Sequence, residues 1–532
     1  MSSLKRLSDP VHAVAVIART GLIDPLRPDL ILRLRWDLRN WGPAAAVRGA
    51  ARRWPARIAL VDERGALTYR QLDQRSDALC EAWRARGLGG HSVIAVLCRD
   101  HRGLLEAMFA GGKLGARVLM MNTGFSGPQF ADVAEREGVS AAVFDEEFAA
   151  VTELLPAPVH RMLAWTDSGR PGHPTLESMI ESAPGARLRP PASVGSLVML
   201  TSGTTGLPKG APRQVRSLSI VLQLLERVPW RKEESTFIAS PLFHGTGMAH
   251  AVVMISLGSR VVLRRRFDPE QTLSALAANH CTGMVVVPTM LHRILALGPE
   301  RLAAHDLSRL RIVLAAGSAL APGLTVRALD AFGEVLYNLY GSTEVATATV
   351  ATPDELRAAP GTTGRTPRGC RVGLYGPDGR PVAGPGVRGR VFVANSQRFD
   401  SYTDGRSKEV IDGLMSTGDV GHFDADGLLF IDGRDDDMIV SGGENVFPGE
   451  IENLICGHEA VHEAAVVGVE DEEFGRRLKA YVVTIPGRDL TADDVRAYVR
   501  ANLARHKVPR DVVFLPELPR TPTGKLLRRS LT

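Results

Sequence analysis

The chain has 532 residues, of which 44% are hydrophobic and 23% charged, and 64 basic against 59 acidic side chains leave a net charge of +5. These fractions exclude a disordered chain and a membrane-embedded body, and so small a basic excess excludes nucleic acid as the partner. Cys80, Cys98, Cys281, Cys370 and Cys456 are scattered and lack CxxC spacing, which excludes a disulfide framework and a cysteine-rich zinc site and fits a cytoplasmic protein.

A single core stops growing near about 250–300 residues, so two or more domains are expected. The N-terminus lacks the order of a secretory signal. Leu30, Ile31, Leu32, Leu34 and Trp36 interleave with Arg33 and Arg35, the pattern of a first helix packed on the body, with peripheral membrane contact as the alternative. Residues 70–86 read as a helix. Apolar β-branched runs at 92–97, 260–263, 283–287 and 311–314 alternate with helical patterns, which implies α/β layers with largely parallel sheets. The longest uncharged stretch, 235–259, is broken by Pro241, His244, Gly245, Gly247, His250 and Gly258 and reads as buried structure rather than a membrane span. From 361 to 398 short strands are separated by turns such as Pro377-Asp378-Gly379 and Gly384-Pro385-Gly386, predicting a small β-rich subdomain. The acidic run Asp435-Asp436-Asp437 precedes a fresh βα pattern, so the boundary is set between units 1–435 and 436–532.

The densest chemical signal is Thr201-Ser202-Gly203-Thr204-Thr205-Gly206-Leu207-Pro208-Lys209-Gly210, directly after the apolar run 197–200. Glycines let the backbone curl until several N–H groups point into one concavity, hydroxyls add donors and Lys209 adds charge, a combination suited to a polyphosphate. It is not a Walker A loop, because Gly112-Lys113 and Gly524-Lys525 are each followed by Leu. Gly384-Pro385-Gly386-Val387-Arg388-Gly389 spells a dinucleotide fingerprint, but it contains Pro and precedes a strand-like run, so a hairpin turn is predicted. His458-Glu459-Ala460-Val461-His462 matches HExxH, yet a strand pattern begins two residues later, which sets the two histidines at a helix-to-strand junction rather than on one helical face.

Further motifs follow in order: Pro241-Leu242-Phe243-His244, Ala316-Gly317-Ser318, Tyr340-Gly341-Ser342-Thr343-Glu344, Ser416-Thr417-Gly418-Asp419, Gly433-Arg434-Asp435-Asp436-Asp437, Ser441-Gly442-Gly443-Glu444-Asn445 and Pro519-Arg520-Thr521-Pro522-Thr523-Gly524-Lys525. With the phosphate loop, this set resembles the adenylate-forming superfamily, which includes acyl-CoA synthetases, peptide-synthetase adenylation domains and firefly-type luciferases. Matches run from about Leu67 to Lys525.

The resemblance implies an α/β fold with a large N-terminal domain of layered αβ sheets, a small β-rich subdomain, and a smaller mobile α+β C-terminal domain. It implies ATP, Mg²⁺ and coenzyme A as cofactors. Thr201, Ser202, Gly203, Thr204, Thr205, Gly206 and Lys209 would cradle phosphates, Gly317, Tyr340, Gly341 and Thr343 would line the nucleotide site, and Asp419 and Arg434 would hold the ribose. Glu344 and Thr201 are the expected metal ligands, and Lys525, Glu344, Lys209 and His244 the expected catalytic residues. Asp436 would be the hinge, and Ser441, Gly442 and Gly443 the CoA passage. The implied reaction is ATP-dependent formation of an acyl-adenylate, then transfer of the acyl group to CoA.

His244 stands where an amino-acid-activating relative needs an acidic group to pair with the substrate ammonium, so a plain acid is favoured. Apolar and small residues at 243–248 and 315–319 suggest a medium- or long-chain fatty acid. The alternatives are an aryl-acid CoA ligase, an acyl-AMP ligase loading a carrier protein, and an idle nucleotide-binding scaffold.

Overall fold

The computed structural model describes residues 10–22, 28–169, 171–183, 188–201, 209–213, 219–395, 401–441, 444–471, 475–521 and 526–531. Two mostly parallel sheets form its frame. In the first, eight strands lie in the spatial order Ala346–Ala351, Leu336–Ser342, Ile312–Ala316, Gly283–Val286, Ser235–Ile238, Arg260–Val262, Ile58–Asp62 and Gly65–Thr68, antiparallel only at the two edges. In the second, six strands are ordered His160–Trp165, Ala141–Asp145, Val93–Leu97, Arg117–Met120, Ser196–Thr201 and Lys209–Arg213, with only the last antiparallel. Parallel strands are covered on both faces and therefore read as continuous apolar runs. Accordingly, Val93–Leu97 and Ile312–Ala316 are buried at every position.

Layers alternate helix, sheet, helix, sheet, helix. Helices Tyr69–Arg84 and Arg102–Leu114 belong to the middle layer, where one apolar cluster joins Leu60, Ile238 and Leu314 of the first sheet to Ile94, Val118 and Met199 of the second. Helices Pro269–Ala278, Pro288–Leu295 and Pro322–Phe332 cover the outer face of the first sheet, and Gly127–Glu137 that of the second. The helix expected at 70–86 runs from Tyr69 to Arg84, started by a capping box between Thr68 and Gln71.

Arg102–Leu114 is buried throughout, so each of its charges needs a partner. Arg102 forks onto Asp62, Glu106 accepts from Arg75 at 2.5 Å, and the fully buried Lys113 ammonium lies 2.7 Å from both Asp73 and Asp77.

Helix Pro28–Trp41 packs inward through Leu30, Leu34, Leu38 and the buried Asp37 and Trp41, as the packed reading requires, and leaves Leu32 and Trp36 exposed. The uncharged stretch resolves into strand Ser235–Ile238 and helix Gly245–Ser256. Among the described residues, no helix is long and apolar enough to cross a membrane.

The β-rich subdomain extends further along the chain than its turn spacing suggests. Arg371–Tyr375 and Gly389–Ala394 pair across the connection that holds Gly384–Gly389, and Leu414–Phe423 then adds to the sheet with Val410–Ile411 and Leu429–Arg434. The glycines at 384 and 386 have φ of 109° and 73°, the geometry of a turn and not of a helix start. Beyond Arg434 come the 3₁₀ turn Asp435–Asp437 and hairpin Ile439–Ser441 with Glu444–Val446. Helices Pro448–Cys456 and Ala492–Asn502 then pack on the sheet of Val461–Asp471, Gly475–Thr484 and Asp511–Phe514.

The HExxH residues straddle a helix-to-strand junction, His458 just after the helix that ends at Cys456 and His462 in the strand that starts at Val461. His458 packs edge-on against Tyr498, whereas His462 meets His292 with ring centroids 4.5 Å apart, so the two imidazoles serve different neighbours.

Replacing Lys113 by Ala leaves Asp73 and Asp77 with Arg48 as their remaining cation, 2.7 Å from Asp77. The expected loss is about 3 kcal/mol, read as a lower urea midpoint of the transition that unfolds the layered unit.

Candidate active site

The site lies at the seam between the eight-stranded sheet and the β-rich sheet. Strand Leu336–Ser342 turns back into Ala346–Ala351, with a bulge between Tyr340 and Gly341. A Cβ on Gly341 would sit 1.8 Å from the carbonyl oxygen of Ala346, so only glycine fits there. Ala346 itself has φ 52°, a left-handed conformation that costs about 1 kcal/mol for a residue with a side chain. Within this turn Ser342 Oγ accepts from the backbone N–H groups of Glu344 and Val345 at 3.2 and 3.3 Å and donates to Glu344 Oε2 at 2.8 Å. The hydroxyl of Tyr402 donates to Glu344 Oε1 at 2.5 Å. Burial pushes the Glu344 carboxyl up, but the bonds from Tyr402 and Ser342 and the charge of Lys408 outweigh it and hold the group below the ordinary glutamate range. An anionic, hard-oxygen donor with each oxygen held by one hydroxyl fits a Mg²⁺ ion.

The nucleoside side is built from the β-rich sheet. Asp419 and Arg434 stand directly opposite each other in register on Leu414–Phe423 and Leu429–Arg434. Gly418 turns at φ 80°, and its missing side chain leaves room for the Arg434 guanidinium, whose Nη2 would lie 3.0 Å from a Cβ. Arg434 Nη1 donates to Asp419 Oδ1 and to the Thr417 carbonyl, each at 3.2 Å. Tyr340 donates to Asp419 Oδ2 at 2.5 Å, and burial together with the Asp419 charge pushes its phenol well above the ordinary tyrosine range. Tyr340 therefore stays protonated and keeps its hydrogen bond to Asp419. The structure thus brings Tyr340, Asp419 and Arg434 together from three separate motifs, with Gly341, Thr343 and Glu344 on the adjoining turn.

Lys209 pairs in register with Thr201 at the connected end of the hairpin formed by Ser196–Thr201 and Lys209–Arg213. Its ammonium lies 5.2 Å from the Tyr402 ring centroid. Ser202, Gly203, Thr204, Thr205, Gly206, Gly442, Gly443 and Lys525 lie outside the described residues, as do the side chains of Thr201, Asp436 and Ser441. Gly317, φ 94°, is exposed on the loop after Ile312–Ala316. His244 caps the start of helix Gly245–Ser256 and rests against Phe243 at 4.6 Å.

The loop carrying His244 is anchored by Asp100, whose Oδ1 accepts from the Leu242 N–H at 2.8 Å. Burial pushes the Asp100 carboxyl up to about 7. Outside Phe243 opens a cleft of about 440 Å³, bordered by Met290 and by Arg99, Arg264, Arg266, Arg293 and Arg520. Arg99 and Arg266 share Glu147, and Arg520 pairs with Glu463. Sequence reasoning missed Tyr402 and Asp100. Asp100 carries no signal of its own, and Tyr402 lies in a polar segment that matches none of the motifs.

Tyr340, the Asp419–Arg434 pair and the Glu344 carboxylate with its Tyr402 partner thus form one polar cluster at the seam. The family model described as AMP-binding enzyme matches residues 47–403, and that described as AMP-binding enzyme C-terminal domain matches 450–525. The chain is 33% identical to an indoleacetate–CoA ligase of Aromatoleum aromaticum, over 89% of this chain and 94% of that protein. It is 30% identical to a fatty acid–[acyl-carrier-protein] ligase of Streptomyces coeruleorubidus, over 90% and 93%. Among solved structures, an anthranilate CoA ligase in complex with anthranoyl-AMP superposes with TM-score 0.84 at 25% identity, over 93% of this chain and 97% of that one. The chain belongs to the AMP-binding enzyme family of adenylate-forming enzymes. It is an AMP-forming acid–thiol ligase that uses ATP, Mg²⁺ and coenzyme A.

Tyr340→Phe keeps the ring and deletes the bond to Asp419. Loss of one hydrogen bond to a charged group predicts a rise of roughly tenfold in KM for ATP with KM for the acid unchanged, checked by initial rates under saturating acid and then saturating ATP.

Proposed function

We propose that the protein activates an aromatic carboxylic acid as its acyl-adenylate and delivers the acyl group to CoA. The observation that carries the first half is the meeting of Tyr340, Asp419 and Arg434 beside Glu344. Support for an aromatic acid comes from the similarity to an indoleacetate–CoA ligase and an anthranilate CoA ligase, which moves the reading away from the aliphatic acid suggested by residues 243–248 and 315–319 alone. Phe243 and the small Ala315, Ala316 and Gly317 suit a flat ring as well as a chain. An amino acid is a poor fit. Asp100 is the acid that reaches the His244 loop, but one oxygen is spent on Leu242, and a carboxyl pushed up to about 7 is a weak partner for an ammonium. A fatty acid passed to CoA or to a carrier protein is the second reading, favoured by the similarity to the acyl-carrier-protein ligase.

In the first half-reaction the substrate carboxylate attacks the α-phosphorus of ATP and pyrophosphate leaves. Tyr340 presents its ring to adenine, Asp419 and Arg434 hold the ribose, and Lys209 and Lys525 place positive charge where it develops on the phosphates. Glu344 and Thr201 hold Mg²⁺, which when bound neutralises charge on the triphosphate. For the second half the chain divides at residues 435/436 and the C-terminal unit turns about Asp436, withdrawing Lys525 and bringing Ser441, Gly442 and Gly443 to the passage. The CoA thiol then attacks the acyl carbon and AMP departs. The arginine-lined cleft outside Phe243 supplies positive charge for the CoA phosphates.

Pyrophosphate exchange across a panel of aromatic, fatty and amino acids, with and without CoA, decides the reading. Exchange with aromatic acids and thioester product with CoA are expected. Exchange confined to fatty acids transfers the proposal to the second reading, and exchange with none overturns it. The two halves separate by mutation. Lys525→Ala should slow adenylation roughly a hundredfold or more yet still convert supplied acyl-AMP and CoA to thioester. Gly443→Leu should keep pyrophosphate exchange and lose acyl-CoA output. Equal loss of both halves in either variant counts against domain alternation.

A further inference from the structure

We infer that Tyr402 is a positioning residue for the phosphate end of the site, its hydroxyl fixing the Glu344 carboxylate while its ring seats the Lys209 ammonium. The inference rests on the reading of Glu344 and Lys209 as metal and phosphate ligands.

The side chain is 6% exposed, an unusual place for a tyrosine flanked by Ser401, Thr403 and Asp404. Its ring packs on Ala211 and Met415, and the segment is tied down on both sides. Thr403 donates its N–H to the Gly210 carbonyl at 2.9 Å and its hydroxyl to Glu137 at 2.6 Å. A short turn, with Tyr402 N–H on the Arg406 carbonyl at 2.9 Å, closes the other side. The ring is thus held to the strand that carries Lys209, and its hydroxyl points across the seam to Glu344.

The chemistry of the pair follows from this geometry. Burial, then the bond to Glu344, push the Tyr402 phenol far above its ordinary range, so it remains a donor at every working pH. A phenol donating to a carboxylate at 2.5 Å is a charge-assisted bond, and it favours the ionised acid. Ser342 takes the other oxygen, leaving each oxygen further lone pairs for a cation. Among the described residues, charges near the pair include Lys209 over the ring, Lys408 beside Glu344, and Asp404 with Arg406 beside Tyr402. Removing the phenol hydroxyl leaves Glu344 Oε1 without the donor that fixes it, while Ser342 still holds Oε2. A partner that orients a metal ligand is typically worth ten- to a hundredfold in metal affinity.

The test uses the full-length protein and Tyr402→Phe, which keeps the ring beneath Lys209. Mn²⁺ binding in the presence of α,β-methylene-ATP is titrated by electron paramagnetic resonance, and AMP binding without metal by calorimetry. Tyr402→Phe is expected to weaken Mn²⁺ binding about tenfold or more and to leave AMP affinity unchanged, because AMP engages the Tyr340 and Asp419 side. Tyr402→Leu, which removes the ring as well, should lower kcat further at saturating metal. Unchanged Mn²⁺ affinity in Tyr402→Phe overturns the inference, and so does a parallel loss of AMP binding, which marks a general structural defect. Should the wild-type protein form no adenylate with any acid, the function proposed above fails, while the two titrations still decide the role of Tyr402.

Discussion

Two carboxylates placed in a largely enclosed seam set the terms for the rest of the site. A carboxylate taken out of water without partners costs several kcal/mol, and both Glu344 and Asp419 escape that cost through a tyrosine hydroxyl at 2.5 Å. Each tyrosine comes from a different part of the chain than the acid it serves. Tyr340 sits on the strand next to the edge of the eight-stranded sheet and reaches Asp419 of the β-rich sheet, while Tyr402 enters from the segment packed on the second large sheet and reaches Glu344. The two bonds therefore lock three sheets at one point, where the proposed nucleotide site lies.

Rigidity at that crossing comes from the layers behind it. The middle helix Arg102–Leu114 cannot shift without separating Lys113, Glu106 and Arg102 from their partners, which fixes the two parallel sheets relative to each other. Against this frame the turn at Gly341–Ala346 can hold a left-handed alanine and a backbone approach that admits no side chain. Strain of this kind persists where the surroundings over-determine it. The loop bearing His244 is held by a similar device, the buried Asp100 on Leu242.

Patterns that suggest chemistry in isolation lost it in context. The HExxH histidines are parted by the start of strand Val461–Asp471, one against Tyr498 and the other against His292, where an Arg327 guanidinium also reaches the His292 ring at 2.8 Å. His101, Asp145 and Cys98 form a buried cluster with ligand-like spacing, but both nitrogens of His101 are spent, one on Asp145 and one on the Gly103 N–H. That cluster ties the loop after Val93–Leu97 to Ala141–Asp145 and is structural.

Local order was legible in the sequence because local physics writes it. Continuous apolar runs gave the parallel strands, the pattern at 70–86 gave a helix, and the ordered motifs from Thr201 to Lys525 resembled those of the adenylate-forming superfamily. Tertiary structure alone decided which distant segments meet. The opposition of Asp419 and Arg434 depends on antiparallel register, the β-rich sheet recruits strands beyond its turn-rich stretch, and Tyr402 acquires its place only when residues 401–406 dock on Lys209–Arg213. Sequence periodicity reports which face of an element is buried, but it carries no information about which other element covers that face, and a single tyrosine finds its carboxylate only through that pairing.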